Sequence, residues 1–190
     1  EEKEIDMKNL TIADKWILQK LSDVTNDIRT NMENFRIGEY ANQIYDFFWG
    51  SYCDWYVELA KIQLANPEQK QNTQRVLWYV LERSLRLLHP IMPHITEKIW
   101  QLIPFKTYKD GQNFLMKCDF PVAQEMNFAN SVHQMDKTID AIKGLRNLRQ
   151  SLNVPAGSQI NIKIYGDKDL FEKTQAFLKR MVRVENIEIS

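Results

Sequence analysis

Tyr45 to Lys61 reads YDFFWGSYCDWYVELAK, and this stretch decides the fold. Nine of its seventeen residues are apolar or aromatic, and Cys53 and Ala60 add to them. A strand of ordinary length does not run this far unbroken. At helical spacing, Ile37, Ala41, Ile44, Phe48, Tyr52, Trp55, Leu59 and Ile62 step by three or four and form one face of a long helix. Tyr45, Trp49 and Tyr56 make a second stripe beside it. A helix apolar over so wide an arc must be wrapped by other helices. Gly50 in its middle costs roughly 1 kcal/mol, which predicts a neighbour that comes close.

Polar residues interrupt the aromatics. Asp54, Glu58 and Lys61 lie four and three apart on one face. Two carboxylates at that spacing suit a metal site or an acid–base pair. The commoner reading of that spacing is a salt-bridge ladder with Lys61, or with Arg83 and Arg86 of a neighbouring helix. No histidine or cysteine completes a ligand set.

The chain has 190 residues, 44% hydrophobic and 26% charged, which suits one domain with a small appendix. No apolar run approaches the roughly 20 residues of a membrane span, and no signal peptide opens the chain. Cys53 and Cys118 stand apart, with no CxxC, so a reducing, cytoplasmic setting without disulfides is expected. The net charge is zero but unevenly spread. Residues 1–66 hold 7 basic and 12 acidic side chains; residues 133–183 hold 10 and 5. That asymmetry suits a second half that meets an anion, or an ordinary solvated basic face.

Residues 1–9 are charged and expected to fray. Thr11 or Asp14 caps a first helix, with Trp16, Ile17, Leu21, Val24, Ile28 and Met32 on its apolar stripe. Phe35 to Ile37 turn the chain into the central helix, which Asn66-Pro67 ends. Val76 to Leu88 carry a third helix. Pro93 opens a short fourth, on Ile95, Ile99 and Leu102. Pro104 to Pro121 reads as a surface excursion with a brief extended run at Phe114–Cys118. A fifth helix runs from about Phe128 to Leu152. The period then changes from 3.6 to 2. Ile160, Ile162 and Ile164 alternate with polar residues in a strand, a helix follows Gly166-Asp167, and Val184 to Ile189 close as a second strand. The expected architecture is mainly α: an antiparallel helical bundle over residues 1–153 with a strand–helix–strand appendix over 154–190.

Chemistry is sparse. His89 and His94 are five apart across a proline, unlike the pair of a zinc helix, and His133 is alone. GxGxxG, GxxxxGK[ST] and GxSxG are all absent. The residues predict no catalytic group, no metal and no cofactor in this chain. Lys143, Arg146 and Arg149 are three apart on one side of the fifth helix, with Leu145, Leu148 and Leu152 holding the other side to the bundle. Such cations suit a phosphate backbone or a solvated face paired to acids. Trp78, Tyr79 and Tyr40 are candidates for base stacking, or for the core.

Three strings together carry a resemblance. Asp46-Phe-Phe-Trp with Cys53-Asp-Trp-Tyr-Val-Glu-Leu-Ala-Lys61 resembles the central helix of the anticodon-binding domain of valyl-tRNA synthetases. Leu85-Arg-Leu-Leu-His-Pro-Ile-Met-Pro-His-Ile-Thr-Glu97, followed by Ile99-Trp100, is similar to the next hallmark of class I synthetases for branched aliphatic amino acids. Ala13-Asp-Lys-Trp-Ile17 and Ile142-Lys-Gly-Leu-Arg-Asn-Leu-Arg149 match the flanking helices. The resemblance covers nearly the whole chain, and CDWYVELAK points to the valine enzyme over the isoleucine and leucine ones.

It implies an enzyme that activates valine with ATP (with Mg) and transfers it to tRNA(Val). That chemistry belongs to a separate domain with HIGH and KMSKS signatures, neither of which occurs here. The resemblance implies a C-terminal piece of a monomeric enzyme that partners its own catalytic domain. It also implies a further helix before this start point and a coiled-coil arm after its end. The candidates for tRNA contact are Lys143, Arg146, Arg149 and Arg36. Three rivals stand beside this reading: the same domain of an isoleucyl- or leucyl-tRNA synthetase, a helical protein–protein adaptor without a nucleic-acid role, and a small enzyme using Asp54 and Glu58.

Overall fold

The computed structural model describes residues 4–103, 114–155 and 157–190. Of the surface excursion expected over 104–121, residues 104–113 lie outside the described residues. The chain divides into two compact units, one up to Phe128 and one from Ala129 onward. The boundary expected at 153/154 falls inside the second unit, after its first helix.

The first unit is a helical bundle. Helix α1 (Ile12–Glu33) starts at a capping box: Thr11 Oγ1 accepts the Asp14 N–H, and the Asp14 carboxylate accepts the Thr11 N–H. This satisfies two N–H groups that a helix start leaves open. The second helix runs continuously as α2 (Ile37–Tyr45), a π-helical stretch (Asp46–Tyr56) and α3 (Val57–Gln63). Helix α4 (Pro67–Leu88) is capped by Asn66, with Pro67 in its first turn. Helix α5 (Pro93–Leu102) opens on Pro93.

Side-chain contacts fix the directions. Asn31, near the end of α1, donates to Gln43 near the start of the second helix (2.7 Å). At the other end, Tyr56 Oη donates to Asp14 Oδ1 (2.6 Å), and Gln63 donates to Thr11. The two helices are therefore antiparallel. By the same logic Tyr40 bonds the Leu87 carbonyl, Tyr52 the Leu77 carbonyl and Thr73 Oγ1 the Gln63 side chain, so α4 runs antiparallel to the second helix.

The π stretch corrects the expected seam. The buried residues are Tyr40, Ile44, Phe47, Tyr52, Tyr56, Leu59, Ala60 and Gln63. The step from Phe47 to Tyr52 is five, because the π turn bonds residue i to i+5 and takes in one residue more than an α turn. Phe48 and Trp55 accordingly leave the core line, and Tyr56 enters it. The rings form a ladder at four-residue steps: Tyr45 on Trp49 (4.6 Å), Phe48 on Tyr52 (5.7 Å) and Tyr52 on Tyr56 (6.1 Å). Gly50 has no close neighbour after all: a Cβ there would meet no heavy atom within 4 Å.

The other corrections are smaller. In α5 the buried residues are Thr96 and Trp100, whereas Ile95 and Leu102 are exposed. Phe114–Cys118 is not extended. It holds a 3₁₀ turn at Leu115–Lys117 that packs Leu115 against Leu85, Trp100 and Ile103.

In the second unit, α6 (Ala129–Ser151) packs against α7 (Lys168–Val182). Strands β1 (Ile160–Ile164) and β2 (Val184–Ile189) pair in parallel, with Ile162 opposite Ile187 and a bulge after Ile160. Met135, Ile139 and Ile142 of α6 and Leu170, Phe177, Leu178 and Val182 of α7 are buried.

Candidate nucleic-acid interface

Two sets of predicted contacts lie on separate units. The first is the corner between α1 and α2. Helix α1 ends in a Schellman turn: the Arg36 N–H donates to the Asn31 carbonyl (2.8 Å) and the Phe35 N–H to the Met32 carbonyl (3.1 Å). This turn requires its penultimate residue to be left-handed, a place that glycine usually takes. Here Phe35 takes it, at φ 56°. The residue is 89% exposed. A bulky residue held against its backbone preference, with its ring in solvent, contributes nothing to the core. Such outliers cluster at ligand-binding sites.

Arg36 follows on the same corner. Its guanidinium reaches Glu39 at 3.7 Å, and both side chains are more than half exposed. Ile37 is exposed as well. Farther along α2, exposed Tyr45 lies flat on Trp49. An exposed ring beside an exposed guanidinium is the chemistry that stacks unpaired bases and neutralises their phosphates.

Phe35 is missing from the sequence candidates. The available signal was an aromatic at the mid-turn of a helix corner next to Arg36, and core demand is the ordinary explanation for a phenylalanine. The three candidate stacking aromatics do less: Tyr40 is buried, and Trp78 and Tyr79 are half-buried. Tyr79 lies under the Arg83 guanidinium.

The second set is on α6, where the expected division of faces does not hold. Lys143 is exposed and 3.9 Å from Asp140. Arg146 is exposed and donates to the Met181 carbonyl (3.2 and 3.4 Å). Arg149 is 8% exposed. Its fork donates to the carbonyls of Val182 (2.6 Å), Pro155 (2.6 Å) and Ser158 (2.8 Å). Meanwhile Leu148 and Leu152, expected in the core, are 57% and 71% exposed. The side of α6 that carries Arg149 faces α7 and the following loop, whose carbonyls need donors. The reading of Arg149 as a surface cation is thereby replaced by a structural one.

The carboxylates of the central helix form no centre. Glu58 pairs with Lys61, Asp54 is exposed, and Arg83 and Arg86 pair with Glu82. Among the described residues no group of three histidine, cysteine or acidic side chains could hold a metal ion. Cys53 and Cys118 are free thiols, each with its pKa pushed up by burial.

The family model described as the anticodon-binding domain of tRNA ligase matches residues 14–164. The chain belongs to this family of anticodon-binding domains. Its relatives include the valine–tRNA ligases of Latilactobacillus sakei (38% identical over 96% of this chain), Staphylococcus carnosus (34%, 96%) and Listeria monocytogenes (33%, 98%). The chain spans about a fifth of the length of these relatives: 21%, 21% and 22%. The matched residues of the anticodon-binding family include the Phe35–Arg36 corner and the whole of α6. Among the described residues no helix is long and apolar enough to cross a membrane.

Proposed function

We propose that this chain is the anticodon-gripping part of a valine–tRNA ligase, and that the Phe35–Arg36 corner meets the anticodon loop. The observation that carries the site is Phe35, exposed and left-handed at the corner. In this reading Phe35 stacks on an unpaired base, and Arg36, Lys143 and Arg146 neutralise backbone phosphates. Arg149 acts on the fold. The domain performs no bond-making. Binding energy realised far from the reacting atoms orients the tRNA so that its acceptor end reaches the active site.

Activation of valine with ATP and Mg belongs, in this reading, to parts of the enzyme outside this chain. The whole enzyme is proposed to work as a cytoplasmic monomer on tRNA(Val). The test is binding of the valine tRNA over a salt series, with isoleucine and leucine tRNAs as competitors. Tight binding that falls steeply with salt and prefers the valine tRNA is expected. Equal binding of the three tRNAs overturns the valine assignment. Salt-insensitive or absent binding overturns the tRNA reading in favour of a protein adaptor.

A further inference from the structure

The second unit holds ten basic side chains and seven acidic ones. Four of the acids are paired to lysines: Asp140 to Lys143, Glu172 to Lys168, Asp169 to Lys173 and Glu188 to Lys163. Asp167 caps α7 by accepting the Leu170 N–H. Of the six cations left over, all but Lys137 gather at the other end of that helix.

Five cations meet there. Arg146 donates to the Met181 carbonyl and Arg149 to the Val182 carbonyl. Lys179 and Arg180 stand in the last turn of α7, and Arg183 is its C-cap. A helix C-terminus carries roughly half a negative charge, which one or two cations satisfy. Arg146 and Arg149 already supply these, and the Arg183 N–H closes the Lys179 carbonyl. Lys179, Arg180 and Arg183 are therefore surplus to the helix. Among the described residues none of the three has a carboxylate within 4.0 Å. Glu185, on β2 just beyond Val184, is the nearest acid along the chain.

These three cations do not scatter over the surface. With Gly157, Gln159 and Val184 they line one open cleft of about 500 Å³. Arg183 is held left-handed at φ 56° and leans its Nη1 on the Gly157 carbonyl (3.4 Å). As at Phe35, a helix end that glycine would relax carries a bulky, exposed side chain instead. Three like charges converging on one cleft repel one another until an anion joins them.

We propose that this cleft binds a phosphodiester of the tRNA backbone, with Lys179, Arg180 and Arg183 as its cationic donors. The proposal rests on the tRNA reading above and adds a phosphate contact on the second unit. A phosphate contact of this kind positions the RNA without reading its sequence.

The test uses the 190-residue chain and valine tRNA. Binding is measured against NaCl concentration for the wild type, for K179Q/R180Q and for K168Q/K173Q. The last variant removes the same charge from the same helix, at paired lysines. The cleft variant is expected to lose roughly tenfold in affinity at 0.1 M salt and to shallow the log–log slope by about two. Its melting temperature should stay that of the wild type, because both side chains are exposed. K168Q/K173Q should keep wild-type affinity and slope. Equal weakening by both variants would mean that net charge alone acts, and the cleft fails. Wild-type behaviour of K179Q/R180Q also sinks the cleft and leaves the tRNA reading standing. A wild-type chain that does not bind tRNA ends both. In a separate arm, inorganic phosphate is expected to leave the melting temperature unchanged where tRNA raises it. Equal protection by inorganic phosphate would make this a free-phosphate site and refute the backbone contact.

Discussion

The guanidinium of Arg149 donates to the carbonyl of Val182 at 2.6 Å, joining the end of α6 to the end of α7. The same fork holds the carbonyls of Pro155 and Ser158, which lead into β1. One buried cation thus ties the end of α6 to the end of α7 and to the loop that leads into β1. Hydrogen bonds to a charged group contribute about 1.5–3 kcal/mol each, and a buried carbonyl left without a donor costs about 1–3 kcal/mol. Arg149→Ala is expected to destabilise the second unit by about 3 kcal/mol or more. Arg149→Lys should recover little, since an ammonium lacks the planar fork. Hydrogen exchange of β1 and α7 amides checks this; protection unchanged in the alanine variant would rule out the keystone role.

The same contact sets where the chain can be cut. Residues 154–190 alone lose Arg149 and the buried Met135, Ile139 and Ile142. A lone pair of strands with one helix buries too little to stand by itself. Residues 129–190 should show dispersed amide resonances and a cooperative melt, and residues 154–190 should show neither. A cooperative melt of the shorter piece would contradict this.

Phe35→Gly should separate stability from binding. Glycine relieves the left-handed strain at the helix end, so the variant is expected to gain about 0.5–1 kcal/mol in stability. The lost ring should cost tRNA binding about 1–3 kcal/mol, the usual worth of one base stacked on an aromatic. Urea melts and tRNA titrations of the same preparation give both numbers. A variant more stable and equally good at binding would remove Phe35 from the interface.

Gly50→Ala offers a simpler gain. A Cβ at this position meets nothing within 4 Å, and glycine in a helix interior is about 0.5–1 kcal/mol worse than alanine. The alanine variant should melt higher by that amount. A lower melting point would mean that the π turns depend on glycine's freedom.

Asp14 gives a pH signature. It is 1% exposed, and burial raises its pKa above the usual 3.8 against the pull of hydrogen bonds from Tyr56 and Thr11. The folded chain thus holds this proton more tightly than the unfolded chain. Its contribution to stability is largest below pH 3.8, falls as pH rises through the raised pKa, and is flat above it. The cost of Asp14→Asn should accordingly be greatest at the acid end and shrink to a plateau near neutrality. Tyr56→Phe, which strips the carboxylate of a donor, should cost about 1–3 kcal/mol at pH 7. Denaturant melts between pH 3 and 7 decide; a cost of Asp14→Asn that grows with pH would reverse the sign.

Local chemistry by itself determined much of this protein. Thr11 with Asp14, Asn66-Pro67, Pro93 and Gly166-Asp167 carry their helix boundaries in one or a few neighbouring residues, because caps and proline act within a single turn. The alternation of Ile160, Ile162 and Ile164 gave the strand, and the strings around Asp46–Lys61 and Leu85–Trp100 gave the family. Tertiary contacts decided the rest. A π turn in place of an α turn moved the core from Phe48 to Phe47 and from Trp55 to Tyr56, and no residue spacing announces that choice. The difference between Arg146 and Arg149 is likewise invisible along the chain, since both are arginines three apart on one helix. One ends exposed and the other buried because the carbonyls of Val182, Pro155 and Ser158, brought close only by folding, needed donors where Arg149 stood.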